Sequence, residues 1–323
     1  MSVSGLGLVA SDGLPVLGAA PGHLARCAQQ LHAELWQQRV PHRLTSMQYG
    51  VLLVLGQQPG ADQRTVAELM SLDKTTAAGV LRRLESRGFV VRERDAGDGR
   101  RMLARLTDEG TTALLGAAPA VLEVQDLLLK PLTFDEGEDL LRVLRAVAYQ
   151  GVPPSVTAAS PENAPVPGWP LRLPTLRLHT TPGHLVRRTQ QLHTTLWAER
   201  VSAELTSVQY SALLVLHREA PLDQRSLGRH VSFDKSTGGD VTSRLESRRL
   251  ITRARDMGDS RRNVLALTES GRELLWRHAP GVLDVQRELM RPLTDPDRAL
   301  FLTLMQRLTS QTDTAEVGAR VTV

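Results

Sequence analysis

Residues 21–133 of this 323-residue chain return without a gap as residues 182–294, an offset of 182 − 21 = 161 with about half the positions identical. So long a gapless match is a duplicated domain, because solenoid repeats are shorter and more numerous. At 323 residues each copy has enough chain to bury its own core. The partition this predicts is an N-terminal arm over 1–20, a first domain over 21–150 and a linker over 151–175. A second domain over 176–312 and a tail over 313–323 follow. The arm is small, apolar and Gly-rich, a loose segment or a strap. Residues 151–174 hold seven prolines, so the linker is semi-extended. At about 3.1 Å per residue it could span roughly 75 Å.

Within each copy the most informative stretch is Ser71 to Gly110, returning as Ser232 to Gly271. Ala77, Val80, Leu81 and Leu84 fall at i, i+3, i+4, i+7, so one face of a helix is buried. Thr75, Ala78, Gly79 and Arg82 lie opposite, and a face so small, polar and basic can enter a DNA major groove. Phe89-Val90-Val91 and Leu103 to Thr107 read as strands around an arginine-rich turn, Asp95 to Arg101. Helix, hairpin and basic tip together predict a winged helix-turn-helix. The fold class is therefore mainly α with small β-wings.

Before it, a helix from about His23 to Val40 and another opened by a capping box at Thr45 to Gln48 are expected. Thr65 to Glu68 reads as a second capping box opening the short helix before the turn, and Asp73 as the next N-cap. After the hairpin comes a long helix from Thr107 to Lys130, bent at Pro119, and a last one capped by Thr133 to Glu136.

The net charge is only +4, but arginine concentrates where the hairpin lies. Asp73–Arg101 and Asp234–Arg262 each carry eight basic and five acidic side chains. Cys27 is the only cysteine, which excludes an intrachain disulfide and a cysteine-based zinc site. No run is read as a membrane span and no basic leader precedes the arm, so the expectation is a cytoplasmic protein without cofactor or metal. Ser71-Leu72-Asp73-Lys74 and Ser232-Phe233-Asp234-Lys235 have the Ser-x-x-Lys spacing of penicillin-recognising hydrolases. Their Ser-Asp-Asn and Lys-Thr-Gly partners are missing, so no enzyme is expected.

Both copies resemble the MarR family of bacterial transcriptional regulators over nearly their whole length. The resemblance rests on the start Leu72-Asp73-Lys74-Thr75-Thr76, the Arg-Leu-Glu-Ser-Arg end of the recognition helix, and the wing signature Asp-x-Arg-x-x-x-Leu-x-Leu-Thr. Copy two carries it in full at Asp259, Arg261, Leu265, Leu267 and Thr268; copy one has Ala104 in place of the first leucine. What the resemblance implies is a dimer gripped through first and last helices on a pseudo-palindromic double-stranded operator. Since this chain carries both halves, the expectation is two domains paired as an intramolecular pseudodimer, monomeric or in a higher oligomer.

The residues expected on DNA are Lys74, Thr75, Thr76, Arg82, Arg100 and Arg101, with Lys235, Ser236, Thr237, Arg261 and Arg262 in the second copy. The wing arginines would be held partly by Asp98 and Asp259. His23, Arg26, His32 and Trp36 recur as His184, Arg187, His193 and Trp197. That first-helix pattern resembles relatives responding to aromatic or phenolic carboxylates, which implies a small-molecule effector held between the domains and released repression. The bland alternative is interdomain salt bridging with satisfied core histidines. Two further readings stay open: redox sensing through Cys27, and a winged helix kept only as a protein-interaction adaptor. Finally, Arg82 is replaced by Ser243 and Gly79 by Asp240, so the first copy is expected to dominate base reading. The adjacent Gly238 and Gly239 are expected to weaken the second helix.

Overall fold

The computed structural model describes residues 8–40, 44–152, 177–233, 235–256 and 263–310. All but the first two linker residues, the 313–323 tail, and the second wing tip with Asp259, Arg261 and Arg262 lie outside the described residues. So do the side chains of Lys235 and Ser236.

The first copy runs α1 (Pro21–Arg39), α2 (Ser46–Gln57), β1 (Ala61–Asp62), α3 (Gln63–Met70), α4 (Lys74–Ser86), β2 (Val90–Arg94), β3 (Met102–Leu106), α5 (Asp108–Leu129) and α6 (Phe134–Ala148). The second repeats it as α7 (Pro182–Arg200), α8 (Ser207–Glu219), β4 (Leu222–Asp223), α9 (Gln224–Val231), α10 (Lys235–Ser247), β5 (Ile251–Arg255), β6 (Asn263–Leu267), α11 (Glu269–Leu289) and α12 (Asp295–Thr309). Each hairpin gains a short third strand that sequence reading missed, in the order β1-β3-β2 and β4-β6-β5. Ala61 pairs with Ala104 and Val90 with Leu106.

Caps decide where these helices begin. Thr45 and Gln48 form a reciprocal capping box, as do Thr133 and Glu136. Asp73 caps α4 by accepting from Thr76 N at 2.8 Å. The box expected at Thr65 is not the start of α3. Asp62 caps that helix, accepting from Thr65 N at 2.8 Å, because its carboxylate reaches the open N–H groups from the end of β1. Pro119 lies inside α5, which runs through it as one helix. That helix is long and apolar enough to cross a membrane by length and composition, contrary to the sequence reading. Here Leu114, Ala118, Val121 and Val124 are buried in protein, and Glu123 pairs with Arg39 at 3.0 Å.

The chain falls into two compact units, and neither is one copy of the repeat. The α4 unit comprises Gln29–Arg145 and Gly151–Arg188; the α10 unit comprises Met1–Ala28, Ala146–Gln150 and Thr189–Val323. Each unit thus takes its winged helix from one copy and the first turns of its entering helix from the other. The α4 unit buries Leu52, Leu55, Val66, Leu81 and Leu84 in its core. The α10 unit buries Leu213, Leu216, Leu227, Leu245 and Leu265, and with them Leu14 from the N-terminal arm. The described part of that arm is a strap: Asp12 lies 3.6 Å from Arg218, and Gln306 donates to Gly18 O at 2.9 Å.

Two glycines fix how α5 and α11 leave the wing. A Cβ on Gly110 would stand 2.0 Å from Phe89 O, and one on Gly271 2.1 Å from Leu250 O. Both contacts are with backbone, so only glycine fits.

Candidate DNA-reading surface and effector pockets

Helix α4 buries Ala77, Val80, Leu81 and Leu84 and exposes Lys74, Thr75 and Arg82, with Thr76, Ala78 and Gly79 half-buried. Between α3 and α4, Ser71 adopts the left-handed conformation (φ 52°), and Ser232 does the same in the second unit (φ 55°). These are the sharp corners that set one helix across the next.

In the first wing Arg100 is exposed, and its backbone N–H donates to Asp98 Oδ1 at 3.1 Å. Arg101 is committed elsewhere. Its Nε donates to Asp62 Oδ2 at 3.0 Å, and its Nη1 lies 3.8 Å from Asp95. Asp98 therefore shapes the turn through the backbone instead of holding a guanidinium, and Asp62 holds Arg101 while also capping α3. The hydrogen bonds from Thr65, joined by Arg101, outweigh the upward push of burial and hold the Asp62 carboxyl below the usual carboxylate range.

In α10, Asp240 and Ser243 are exposed and Thr237 is half-buried. Gly238 has a packing reason. A Cβ there would meet the Phe233 ring at 2.6 Å, where the first unit has Ala77 beside the smaller Leu72. The larger residue in the turn is accommodated by removing a methyl from the helix.

Each unit also contains a small pocket. In the α10 unit it is lined by His23, Arg26, His193, Trp197, Ser211 and Gln286, among others. In the α4 unit the corresponding lining is His184, Arg187, His32, Trp36, Gly50 and Gln125, with Met70. The Pro-Gly-His opening of α1 and α7 explains the assembly. Gly22 N–H donates to Gln286 Oε1 at 3.2 Å, and Gly183 N–H to Gln125 Oε1 at 2.9 Å. A Cβ on Gly22 would lie 2.1 Å from the His193 ring, and one on Gly183 2.2 Å from His32 Nε2. The glycine lets the ring approach the helix start closely.

The arginines turn toward the winged helix. Arg26 donates from Nη1 to Ser232 O at 2.7 Å and from Nη2 to Val231 O. Arg187 donates from Nη2 to Met70 O. Those carbonyls end α9 and α3, at the corner leading into each recognition helix. Each arginine also meets a histidine one turn back, Nη2 to His23 Nδ1 at 3.0 Å and to His184 Nδ1 at 3.1 Å. A histidine whose Nδ1 accepts carries its proton on Nε2 and is neutral. Burial, reinforced by Arg26, pushes His23 down to about 3; burial and Arg187 push His32 down to about 4, and burial and Arg26 do the same to His193. His184 falls well below 6.5 for the same reasons. The Nδ1 atoms of His32 and His193 are buried with no hydrogen-bond partner among the described residues. Trp36 and Trp197 anchor the loop behind each pocket, Trp36 Nε1 donating to Leu44 O at 2.9 Å and Trp197 Nε1 to Leu205 O at 2.5 Å.

Two segments, 43–101 and 205–263, match the profile of the MarR family. The transcriptional regulator HosA of Escherichia coli O127:H6 is 37% identical over 123 residues, covering 38% of this chain and 90% of HosA. The chain belongs to the MarR family. The repressor NicR of Pseudomonas putida is 30% identical over 134 residues, 41% of this chain and 85% of NicR. The crystal structure of the PcaV regulator from Streptomyces coelicolor in complex with its natural ligand is 40% identical, covering 43% of this chain and 96% of PcaV at a TM-score of 0.40. This MarR-family chain is a DNA-binding transcriptional regulator with two winged-helix domains in tandem.

All eight first-helix residues singled out in the sequence of this MarR chain line pockets, four in the pocket of each unit. Arg26 shares a pocket with His193 and Trp197 in the α10 unit, and Arg187 shares one with His32 and Trp36 in the α4 unit. An offset that maps each residue onto its twin cannot say which copy's arginine meets which copy's histidine. Sequence reading also passed over Tyr49, Gln125 and Gln286, which line the same pockets. The two glutamines sit on α5 and α11 among apolar neighbours, a signal that was there to be read. Cys27 is buried, with Sγ 3.5 Å from His23 Nε2.

Proposed function

We propose that this chain is a cytoplasmic repressor released by a small aromatic or phenolic carboxylate, which takes Arg26 or Arg187 away from the corner of the winged helix. One observation carries the reading. In each unit the pocket arginine donates to the last carbonyls of the helix preceding the recognition helix. A carboxylate offers a guanidinium a charge-assisted, bidentate partner that outcompetes a neutral carbonyl. The free space is about 20 Å³ in the α10 unit and about 40 Å³ in the α4 unit. That suits a water or two, whereas a benzene-binding cavity is roughly 150 Å³. An aromatic ring therefore enters only by opening the site, and the arginine contact to the corner is what closes it. A ligand shifts an equilibrium only through such a difference between states.

Two operator half-sites would be served by one chain, the linker replacing a bimolecular association by an intramolecular one. Lys74, Thr75, Thr76 and Arg82 would meet one major groove, Lys235, Ser236 and Thr237 the other. Arg100, and Arg261 and Arg262, would reach the minor groove or its phosphates. NicR, named a repressor, supports the sign of regulation.

The experiment is anisotropy on labelled DNA from the protein's own upstream region, titrated with aromatic acids. Wild type should release DNA on adding an effector, and Arg26→Ala with Arg187→Ala should lose that response. An unchanged response in the double variant would sink the mechanism. A DNA affinity indifferent to salt would instead mark a protein-binding adaptor.

A further inference from the structure

The two pockets share their arginine, glycine and histidines and differ at two places: Thr181, its hydroxyl donating to Arg177 O at 3.0 Å, lines the α4-unit pocket where Ala20 lines the other, and one packed pair is changed. In the α4 unit, a Cβ on Gly50 would lie 2.5 Å from Met70 Cε and 2.8 Å from its Sδ. The thioether occupies that space, and both residues line the pocket. The same positions in the α10 unit (50 + 161 = 211 and 70 + 161 = 231) are Ser211 and Val231. Ser211 supplies the pocket wall there, and its hydroxyl donates to Ser207 O at 2.8 Å. A hydroxyl has one proton; with that proton committed, Ser211 Oγ offers only lone pairs. A ligand group reaching it must donate. Met70 presents the opposite chemistry, a polarisable thioether that favours the edge of an aromatic ring.

We propose that the pockets prefer different ring substituents. The Ser211 pocket takes an aromatic carboxylate bearing a hydroxyl that donates to Ser211 Oγ. The Met70 pocket takes one presenting an unsubstituted ring edge to the thioether. This rests on the effector reading above and assigns the selectivity of its two sites. It also makes the coupling unequal. Met70 ends α3, and its own carbonyl holds Arg187, so a ring that displaces the thioether acts on the residue whose carbonyl the arginine gives up. In the α10 unit the wall residue, Ser211, sits on α8, and the carbonyls belong to Val231 and Ser232.

Calorimetric titration with benzoate, 3-hydroxybenzoate and 4-hydroxybenzoate separates the sites when one arginine is removed at a time. Arg187→Ala leaves the Ser211 pocket, which should bind one hydroxybenzoate isomer about 3- to 10-fold more tightly than benzoate, the worth of one neutral hydrogen bond. Arg26→Ala leaves the Met70 pocket, where the isomer that gains at Ser211 should bind no more tightly than benzoate. In the full chain with both arginines, Gly50→Ser plus Met70→Val should let the isomer favoured at Ser211 gain at both sites. Equal benzoate-to-hydroxybenzoate ratios in the two single-arginine proteins, or an exchange variant that keeps the wild-type isotherm, overturn the proposal alone. Wild-type binding by the protein lacking both arginines removes the effector reading and this inference with it.

Discussion

Mild acid should unfold this protein, and the four pocket histidines are the reason. His23, His32 and His193 are pushed down to about 3, about 4 and about 4, and His184 well below 6.5, chiefly by burial. The folded values lie below the unfolded value near 6.5, so the unfolded chain takes up protons first as pH falls. Their contribution is therefore complete above pH 6.5 and drains away on acidification from there toward the folded values. Between pH 7.5 and 5.0 a histidine of pKa 6.5 in the unfolded chain gains about RT ln(32.6/1.1), roughly 2 kcal/mol, while one held at about 4 gains almost nothing. Three such groups make roughly 6 kcal/mol, comparable with the whole stability of many domains. Asp62 and Asp73 are held below the ordinary carboxylate range and stay charged in this window. Burial raises Glu34, which works in the opposite sense toward its lower end.

The assay is urea unfolding at half-unit steps from pH 7.5 to 5.0, followed by far-UV circular dichroism. Wild type should lose stability steeply below pH 6.5. His32→Gln plus His193→Gln should flatten the slope by about 1.4 kcal/mol per pH unit for each histidine removed. A stability curve flat down to pH 5.5, or a slope untouched by the double substitution, would falsify the account of neutral, buried rings.

Gly110→Ala and Gly271→Ala should each cost about 3 kcal/mol or more, since the new methyl meets a backbone carbonyl that cannot rotate away; thermal unfolding of each variant checks this. Trp36→Phe should cost about 1–2 kcal/mol by leaving the Leu44 carbonyl without its indole donor, read from urea midpoints. Arg100→Ala should leave stability unchanged and lower the slope of log affinity against log salt by about 1, while Arg101→Ala should mainly loosen the junction with Asp62. Base-by-base substitution of the operator should cost about 1–3 kcal/mol per important pair on the α4 side and little on the α10 side, because Asp240 and Ser243 stand where Gly79 and Arg82 do; a symmetric profile refutes that ranking.

Local features were legible in the sequence. The buried face of α4, the N-caps Thr45 and Asp73 and the two-strand wing follow from spacing and from which side chains reach an N–H three residues on. What escaped depends on contacts between distant segments. Asp62 has one carboxylate for two tasks, the α3 cap and Arg101, and nothing local separates it from Thr65 as the cap. Leu14 lies in a segment without period, yet it is fully buried in the core of the second winged helix. Gly238 looks like a weak point in a helix until Phe233 is seen against it.

The exchange of entering turns has the largest consequence. The pocket of the α10 unit takes His23 and Arg26 from the first copy, and that of the α4 unit takes His184 and Arg187 from the second. A single copy, cut free and monomeric, would carry an arginine without its corner and a corner without its arginine. Duplication alone conserves the residues of a site, but the exchange obliges both copies to be present before either pocket exists. In a fused chain that obligation is met within one molecule, so effector response should not depend on protein concentration. It also leaves each half free to diverge, since the two corners no longer have to answer to the same wall residues. The paired changes Gly50/Met70 against Ser211/Val231, and Leu72/Ala77 against Phe233/Gly238, are what such freedom looks like when packing must still close.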